Sequence, residues 1–280
     1  MVQLFPPRHV YFPSTPSHTC TVILLHDTNS TGAELAAALA ASTSTATPAG
    51  KSIFEHFPSC RWAQAQAQLS PSAAEDLEVC VESILQIVEE EVVRLAGEGH
   101  RVVLGGFGQG MAVAAAALIA QRRRLGGFVG VSGWVPLAGG IDGIVAHGGL
   151  ARDEAARVGS EAFRRDSVAG GLGVDGRELD ADADADAGDV GLASAPKAPL
   201  QDGSAGSLWE TPVLLSYLED DPCVDIRTGL MAYETLSRMG FVKVIWDPLR
   251  ASQQGENWLL DSSQLDTIVG FLAEVFGHEG

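Results

Sequence analysis

The sequence predicts an α/β protein whose central, mostly parallel sheet is flanked by helices on both faces. Short apolar runs recur along the chain, and helix-like stretches separate them. Alternation of this kind is typical of parallel sheets, because each crossover connection places a helix on a face of the sheet. With 280 residues, 46% of them hydrophobic, the chain can also bury a core of the required size.

Five apolar runs are the predicted strands: Val22–His26, Val102–Phe107, Phe128–Trp134, Pro212–Leu218 and Val242–Trp246. The predicted helices are a short alanine-rich helix from Ala33, a long helix opened by the capping signal Ser72-x-x-Glu75, and the segments Asp225–Met239 and Asp261–Phe276. Apolar residues recur in the long helix at helical spacing, at Leu77, Val81, Ile84, Val88, Val92 and Leu95. This stripe predicts a core-packing face, and Gly97 and Gly99 predict its end.

Composition narrows the class of protein. The net charge of −18 argues against nucleic acid or an anionic membrane surface as a partner. No apolar run reaches the length of about 18 residues that a membrane span requires. Four cysteines lie far apart without a C-x-x-C pair, which predicts free thiols and no metal site: Cys20, Cys60, Cys80 and Cys223. A cytoplasmic globular protein is expected.

One segment breaks the alternation of strands and helices. Residues 151–207 are rich in Gly, Ala, Asp and Ser, and their centre reads "DADADADAGD". A calcium loop starting at Asp182 would need glycine at its sixth position and glutamate at its twelfth, where Ala187 and Ala193 stand. The composition instead predicts a disordered acidic insertion within a single domain that spans residues 1–280.

The stretch "RVVLGGFGQGMAVAAAALIA" predicts a strand, a glycine-rich turn and a helix. Such a unit either cradles a phosphate or forms a nucleophile elbow of the form G-x-S-x-G. A dinucleotide fingerprint would need a third glycine where Met111 stands, and it would lie in the first strand–helix unit. The elbow interpretation is favoured, although the central position of Gly106-Phe107-Gly108-Gln109-Gly110 carries no hydroxyl.

Five blocks of the sequence support the elbow interpretation: "VILLHDTNSTGAEL", "VVLGGFGQGMA", "LGGFVGVSGWVPL", "TPVLLSYLEDDPCVDI" and "ENWLLDSSQLDTIVGFL". Their order resembles the phospholipase/carboxylesterase family that includes acyl-protein thioesterases, in particular its fungal branch. The resemblance covers about Val22–Leu137 and Thr211–Leu272. It implies an α/β-hydrolase fold, hydrolysis of carboxylic esters or thioesters by a Ser–Asp–His triad, and no cofactor.

The implied triad is incomplete in this chain. Gly108 stands at the serine position, Asp221 at the aspartate position and Asn257 at the histidine position. A serine hydroxyl becomes a useful nucleophile only when a histidine takes its proton and an aspartate orients that histidine. A chain with glycine and asparagine at two of these positions is therefore expected to have lost hydrolysis.

The implied oxyanion hole also departs from the family pattern. Its donors would be the backbone amides of Gln109 and of a residue near Thr28, yet Asp27 and Asn29 stand where the family has glycines. A carboxylate beside the hole opposes the negative charge that develops on the substrate oxygen. The remaining residues expected at the pocket are His26, Tyr217 and Trp258.

Three functions stay open at this stage. The first is a pseudoenzyme that keeps a pocket for a small apolar or acyl-type ligand. The second is a repurposed cyclase or isomerase that uses this pocket and Asp221. The third is an active hydrolase with a different nucleophile, for which Cys223 and Ser132 are candidates. The acidic residues around Cys223 disfavour its thiolate.

Overall fold

The computed structural model describes residues 8–28, 30–42, 51–66, 74–121, 123–136, 206–221, 223–250 and 262–277. Within these ranges seven strands form one sheet: β1 (His9–Tyr11), β2 (Cys20–His26), β3 (Cys60–Gln66), β4 (Val102–Phe107), β5 (Gly127–Val131), β6 (Val213–Leu218) and β7 (Val244–Leu249). The strand order is β1-β3-β2-β4-β5-β6-β7. Strand β1 runs antiparallel to β3, and the other neighbouring pairs are parallel. The predicted α/β class and the mostly parallel sheet are confirmed.

Helices cover both faces of this sheet: α1 (Gly32–Ala41), α2 (Ile53–His56), α3 (Ala74–Arg94), α4 (Gln109–Ala120), α5 (Ile226–Met239) and α6 (Ser262–Phe276). One buried apolar cluster joins the sheet to α3, α4 and α5, and a second joins it to α1, α2 and α6. Strand β4 lies in the middle of the sheet, between β2 and β5. The end of β4 is therefore surrounded by structure on both sides.

Helix α4 follows β4 directly and is apolar around its whole circumference. Ten of its twelve residues are buried, which is the expected position for a helix without a polar face. Its first turn packs so closely on β2 that a Cβ added to Gly110 would lie 2.4 Å from the carbonyl oxygen of Leu25. Glycine at this position allows the helix to begin immediately beside the end of β2.

Helix α3 carries five residues of the predicted apolar stripe, Leu95 follows the helix directly, and all six residues are buried. Among the described side chains of this helix, one carboxylate is fully buried, that of Glu91. Its Oε1 lies 3.2 Å from Nε of Arg61 and 3.5 Å from Nε of Arg94. Oε2 accepts a hydrogen bond of 3.2 Å from the hydroxyl of Thr21. These partners compensate the charge of Glu91 inside the fold.

Three elements are absent from the sequence-based prediction: β1, α2 and β3. The sequence of β3, "CRWAQAQ", mixes small and aromatic residues with polar ones, and Gln64 is almost fully buried. A buried glutamine hides the apolar pattern that identifies a strand. Strand β5 ends at Val131, before the predicted limit of Trp134, and β7 extends to Leu249.

The predicted acidic insertion lies outside the described residues from residue 151 to residue 205. Its disorder and the single-domain assignment therefore stay predictions. Among the helices of the described ranges, none has both the length and the apolar character needed to cross a lipid bilayer.

Candidate active site

The candidate site lies at the turn between β4 and α4, where Gly108 is the residue before the helix. Its φ is 51° and its ψ is −121°, in the part of backbone space that favours glycine. The N–H of Gly108 donates a 3.0 Å hydrogen bond to the carbonyl oxygen of Val131 at the end of β5. The turn therefore has the sharp strand–turn–helix backbone of a nucleophile elbow. No side chain projects from its central residue.

The carboxylate of Asp27 occupies the space above Gly108. A Cβ added to Gly108 would lie 2.6 Å from Cγ and from Oδ1 of Asp27, and 2.8 Å from its Oδ2. Oδ1 accepts a hydrogen bond of 2.9 Å from the backbone N–H of Gln109. In an elbow the N–H of the residue after the nucleophile is an oxyanion donor. Here the chain's own carboxylate takes that donor.

The loop that carries Asp27 is held by short contacts on both sides. Nδ1 of the buried His26 lies 2.8 Å from the carbonyl oxygen of Asp27 and donates to it. The N–H of Ser30 donates to the same oxygen at 3.1 Å. The hydroxyl of Thr28 donates to Oε1 of Gln109 at 2.6 Å. These bonds fix the backbone of the loop beside the elbow, and the bond from the N–H of Gln109 directs the Asp27 side chain towards it.

Tyr217, expected at the pocket, is fully buried behind the elbow. Its hydroxyl donates a 2.7 Å hydrogen bond to the carbonyl oxygen of Gly133 and lies 3.3 Å from the sulfur of Met111. Burial raises the pKa of the Tyr217 phenol well above its ordinary value, so the phenol is neutral. Gly133 packs against the elbow, since a Cβ there would lie 2.5 Å from the carbonyl oxygen of Gly108. Tyr217 thus fixes a loop that supports the elbow.

Asp221 follows β6 and its carboxylate is engaged with its own loop. Oδ1 accepts hydrogen bonds from the N–H groups of Cys223 at 2.8 Å and Val224 at 3.1 Å. Such side chain to backbone bonds shape a turn. Cys223 is an exposed free thiol, and Ser132 has a positive φ of 44° immediately after β5.

Asn29, Asn257 and Trp258 lie outside the described residues. The assignment of Asn257 to the histidine position therefore stays a prediction. The structure brings Asp27, Thr28, Gly108 and Gln109 together. Within the described ranges, no group of three or more His, Cys, Asp or Glu side chains is placed to hold a metal ion.

A mostly parallel sheet with a sharp elbow at the end of its central strand defines an α/β-hydrolase. Comparison with known proteins supports this class and gives the family. Residues 9–147 match the family model described as Phospholipase/Carboxylesterase. This match, over about half of the chain, confirms the resemblance of the sequence blocks to that family.

The curated relatives include fungal acyl-protein thioesterases. Acyl-protein thioesterase 1 of Yarrowia lipolytica is 32% identical over 142 residues, which are 46% of this chain and 63% of the relative. The protein of the same name from Cryptococcus neoformans is 26% identical over 155 residues, 46% of this chain and 60% of the relative. The match thus spans about three fifths of the length of these relatives.

Solved structures share the fold at low sequence identity. Zea mays acyl-protein thioesterase 2 superimposes with a TM-score of 0.57 and 15% identity, covering 98% of this chain and 100% of that one. The Bacillus cereus carboxylesterase gives a TM-score of 0.54 with 10% identity, covering 98% and 96% of the two chains. These likenesses show the α/β-hydrolase fold.

Proposed function

We propose that this chain is a family member that no longer hydrolyses esters or thioesters, and that it acts as a binding protein for a small apolar or acyl-type ligand. The observation that carries the proposal is Gly108. The residue has the backbone of an elbow without a side chain, so no acyl-enzyme can form there. The Asp27 carboxylate on the N–H of Gln109 supports the same conclusion, because it opposes an oxyanion at that donor.

The magnitude of the expected loss supports the proposal. Enzymes that lose triad members keep about 10³–10⁴-fold acceleration from the oxyanion hole and substrate binding. In this chain one donor of the hole is already bonded to Asp27 at 2.9 Å. The residual acceleration should therefore be smaller than in a triad mutant whose hole is open. Asn257, if it stands at the histidine position, adds a second loss because an amide cannot relay a proton.

The test is direct. The purified chain is incubated with a fluorophosphonate probe, with short p-nitrophenyl esters and with an acyl thioester, beside an active serine hydrolase as positive control. We expect no adduct by intact-protein mass spectrometry and turnover equal to the buffer background. Robust turnover that Cys223→Ala or Ser132→Ala abolishes would contradict the proposal and assign the chemistry to that residue.

A repurposed cyclase or isomerase is the second candidate. Its expected acid–base group, Asp221, already accepts two backbone hydrogen bonds from Cys223 and Val224. These bonds give Asp221 a role in shaping its turn. Among the described residues, Asp27 holds a carboxylate directly at the elbow, and an isomerase acting there would use it. Conversion of a ligand by the native chain that is lost in Asp27→Asn would favour this second candidate.

A further inference from the structure

The first turn of α4 receives its capping group from Asp27, in the loop after β2. The first N–H groups of a helix have no partner within the helix, and a side chain of the preceding residue usually accepts one of them. Gly108, in that position, has no side chain to do so. Asp27, one residue after β2, supplies the carboxylate instead, with Oδ1 at 2.9 Å from the N–H of Gln109.

This capping carboxylate lies in a space that exists only because residue 108 is glycine. Any Cβ on Gly108 would come within 2.8 Å of three atoms of the Asp27 carboxyl group. The carbonyl oxygen of Asp27 accepts bonds from His26 and Ser30, so the backbone that carries the side chain is fixed beside the elbow. From this fixed backbone position the carboxylate is held over the elbow by the N–H of Gln109.

We propose that the Asp27 carboxylate is an internal ligand that keeps acyl carbonyl groups out of the oxyanion position. This inference rests on the proposed function and deepens it. A substrate carbonyl needs the N–H of Gln109 as a donor, and a carboxylate bound there is both a competitor and a repulsive charge. The ligand of the native chain is therefore bound through its apolar part and not through an acyl carbonyl at the elbow.

The protein without this carboxylate should bind a free carboxylate in its place. In Asp27→Ala the N–H of Gln109 loses its partner, and the space over Gly108 is freed. A small carboxylate added to the solution, such as acetate or formate, should then bind in the place of the lost side chain. Helix α4 has twelve residues, so its amino end also favours an anion electrostatically.

The experiment compares the melting temperatures of the native chain, Asp27→Ala and Asp225→Ala in acetate and in chloride at matched ionic strength. Asp225 is the matched control, because it caps α5 through a 2.8 Å bond from the N–H of Arg227 and is exposed. Loss of the cap should lower the melting temperature of each variant by roughly 2–4 °C relative to the native chain. Acetate should restore at least half of this loss in Asp27→Ala and leave Asp225→Ala and the native chain unchanged.

A second readout is the backbone amide resonance of Gln109 in nitrogen-15 spectra. It should move on addition of acetate to Asp27→Ala and stay fixed in the native chain. If Asp27→Ala folds poorly in chloride, the yield of soluble protein on refolding in acetate against chloride becomes the measurement. Equal effects of acetate on all three proteins would overturn the inference. Ester turnover by the native chain would instead overturn the proposed function, so the two failures are distinguishable.

Discussion

The hydroxyl of Tyr217 reaches across from β6 and donates a 2.7 Å hydrogen bond to the carbonyl oxygen of Gly133. Gly133 belongs to the loop after β5, and that loop packs directly on the carbonyl oxygen of Gly108. Three neighbouring parts of the sheet are joined in this way at the elbow. The shape of the elbow is therefore maintained by buried side chains, although its central residue has none.

Tyr217→Phe should destabilise the fold by about 1–3 kcal/mol, because the buried carbonyl oxygen of Gly133 loses its partner without regaining water. The free energy of unfolding in urea measures the loss. Tyr11→Phe is the control, since Tyr11 is 42% exposed and stacks on Phe54 at 4.3 Å. An equal effect of the two substitutions would argue against a role for the Tyr217 hydroxyl.

Gly108→Ser alone should destabilise the chain and leave it unlabelled by a fluorophosphonate. A side chain at a φ of 51° is strained, at about 1–3 kcal/mol, and its Cβ would meet Asp27 at 2.6 Å. Adding Asp27→Gly should recover part of that stability, so that the two substitutions are non-additive. Urea unfolding of the two single variants and the double variant measures this coupling. If the changes in the free energy of unfolding of the two single variants simply add, a side chain at residue 108 and the Asp27 carboxylate do not compete for the same space.

From the sequence alone, Gly108→Ser with Asn257→His is expected to restore probe labelling. The structure adds Asp27 as a third requirement, because its carboxylate occupies the position of the serine side chain. We therefore expect labelling in the triple variant with Asp27→Gly and none in the double variant that retains Asp27. Mass spectrometry after probe treatment measures both. Labelling of the double variant would show that Asp27 moves aside.

Gly110→Ala should cost about 1–3 kcal/mol or more, because the added methyl group would meet backbone atoms of β2, including the oxygen of Leu25 at 2.4 Å. Gly270→Ala is the control, for which we expect a gain in stability. Gly270 lies in α6, is exposed, and has no neighbour within 4 Å of an added Cβ. That substitution should stabilise the chain by about 0.5–1 kcal/mol. Melting curves of the two variants should shift in opposite directions, and a shift in the same direction would contradict the packing at Gly110.

Glu91→Gln should lower the free energy of unfolding by about 3–5 kcal/mol, because Arg61 keeps a largely buried charge without its partner. Glu89→Gln, on the same helix, is the control. Glu89 pairs with Arg123 at 2.9 Å, and both side chains are exposed, so its loss should have little effect. Comparable losses in the two variants would mean that burial does not govern the strength of these pairs.

Strands β2, β4 and β6 and helices α3, α4, α5 and α6 could be predicted closely, because continuous apolar runs and helical stripes identify buried elements. Strand β3 could not, since alanine is a weak strand former and the polar Gln64 stands at a buried position. At the site, the sequence identified Asp27 as an unfavourable charge near the oxyanion donor. The contact of Asp27 with Gln109 was not predictable, because it depends on the distance between the ends of β2 and β4.

The two edge strands of the described sheet limit the association of copies of this chain through their sheet edges. Strand β1 contains three residues, and β7 includes Pro248, which has no N–H to donate. Long, regular edges attract further strands and promote aggregation, whereas short edges and edges with proline do not. The sheet therefore offers little template for growth on either side. The glycine at the central elbow, Gly108, leaves these edges unchanged, so the protection against self-association does not depend on catalysis.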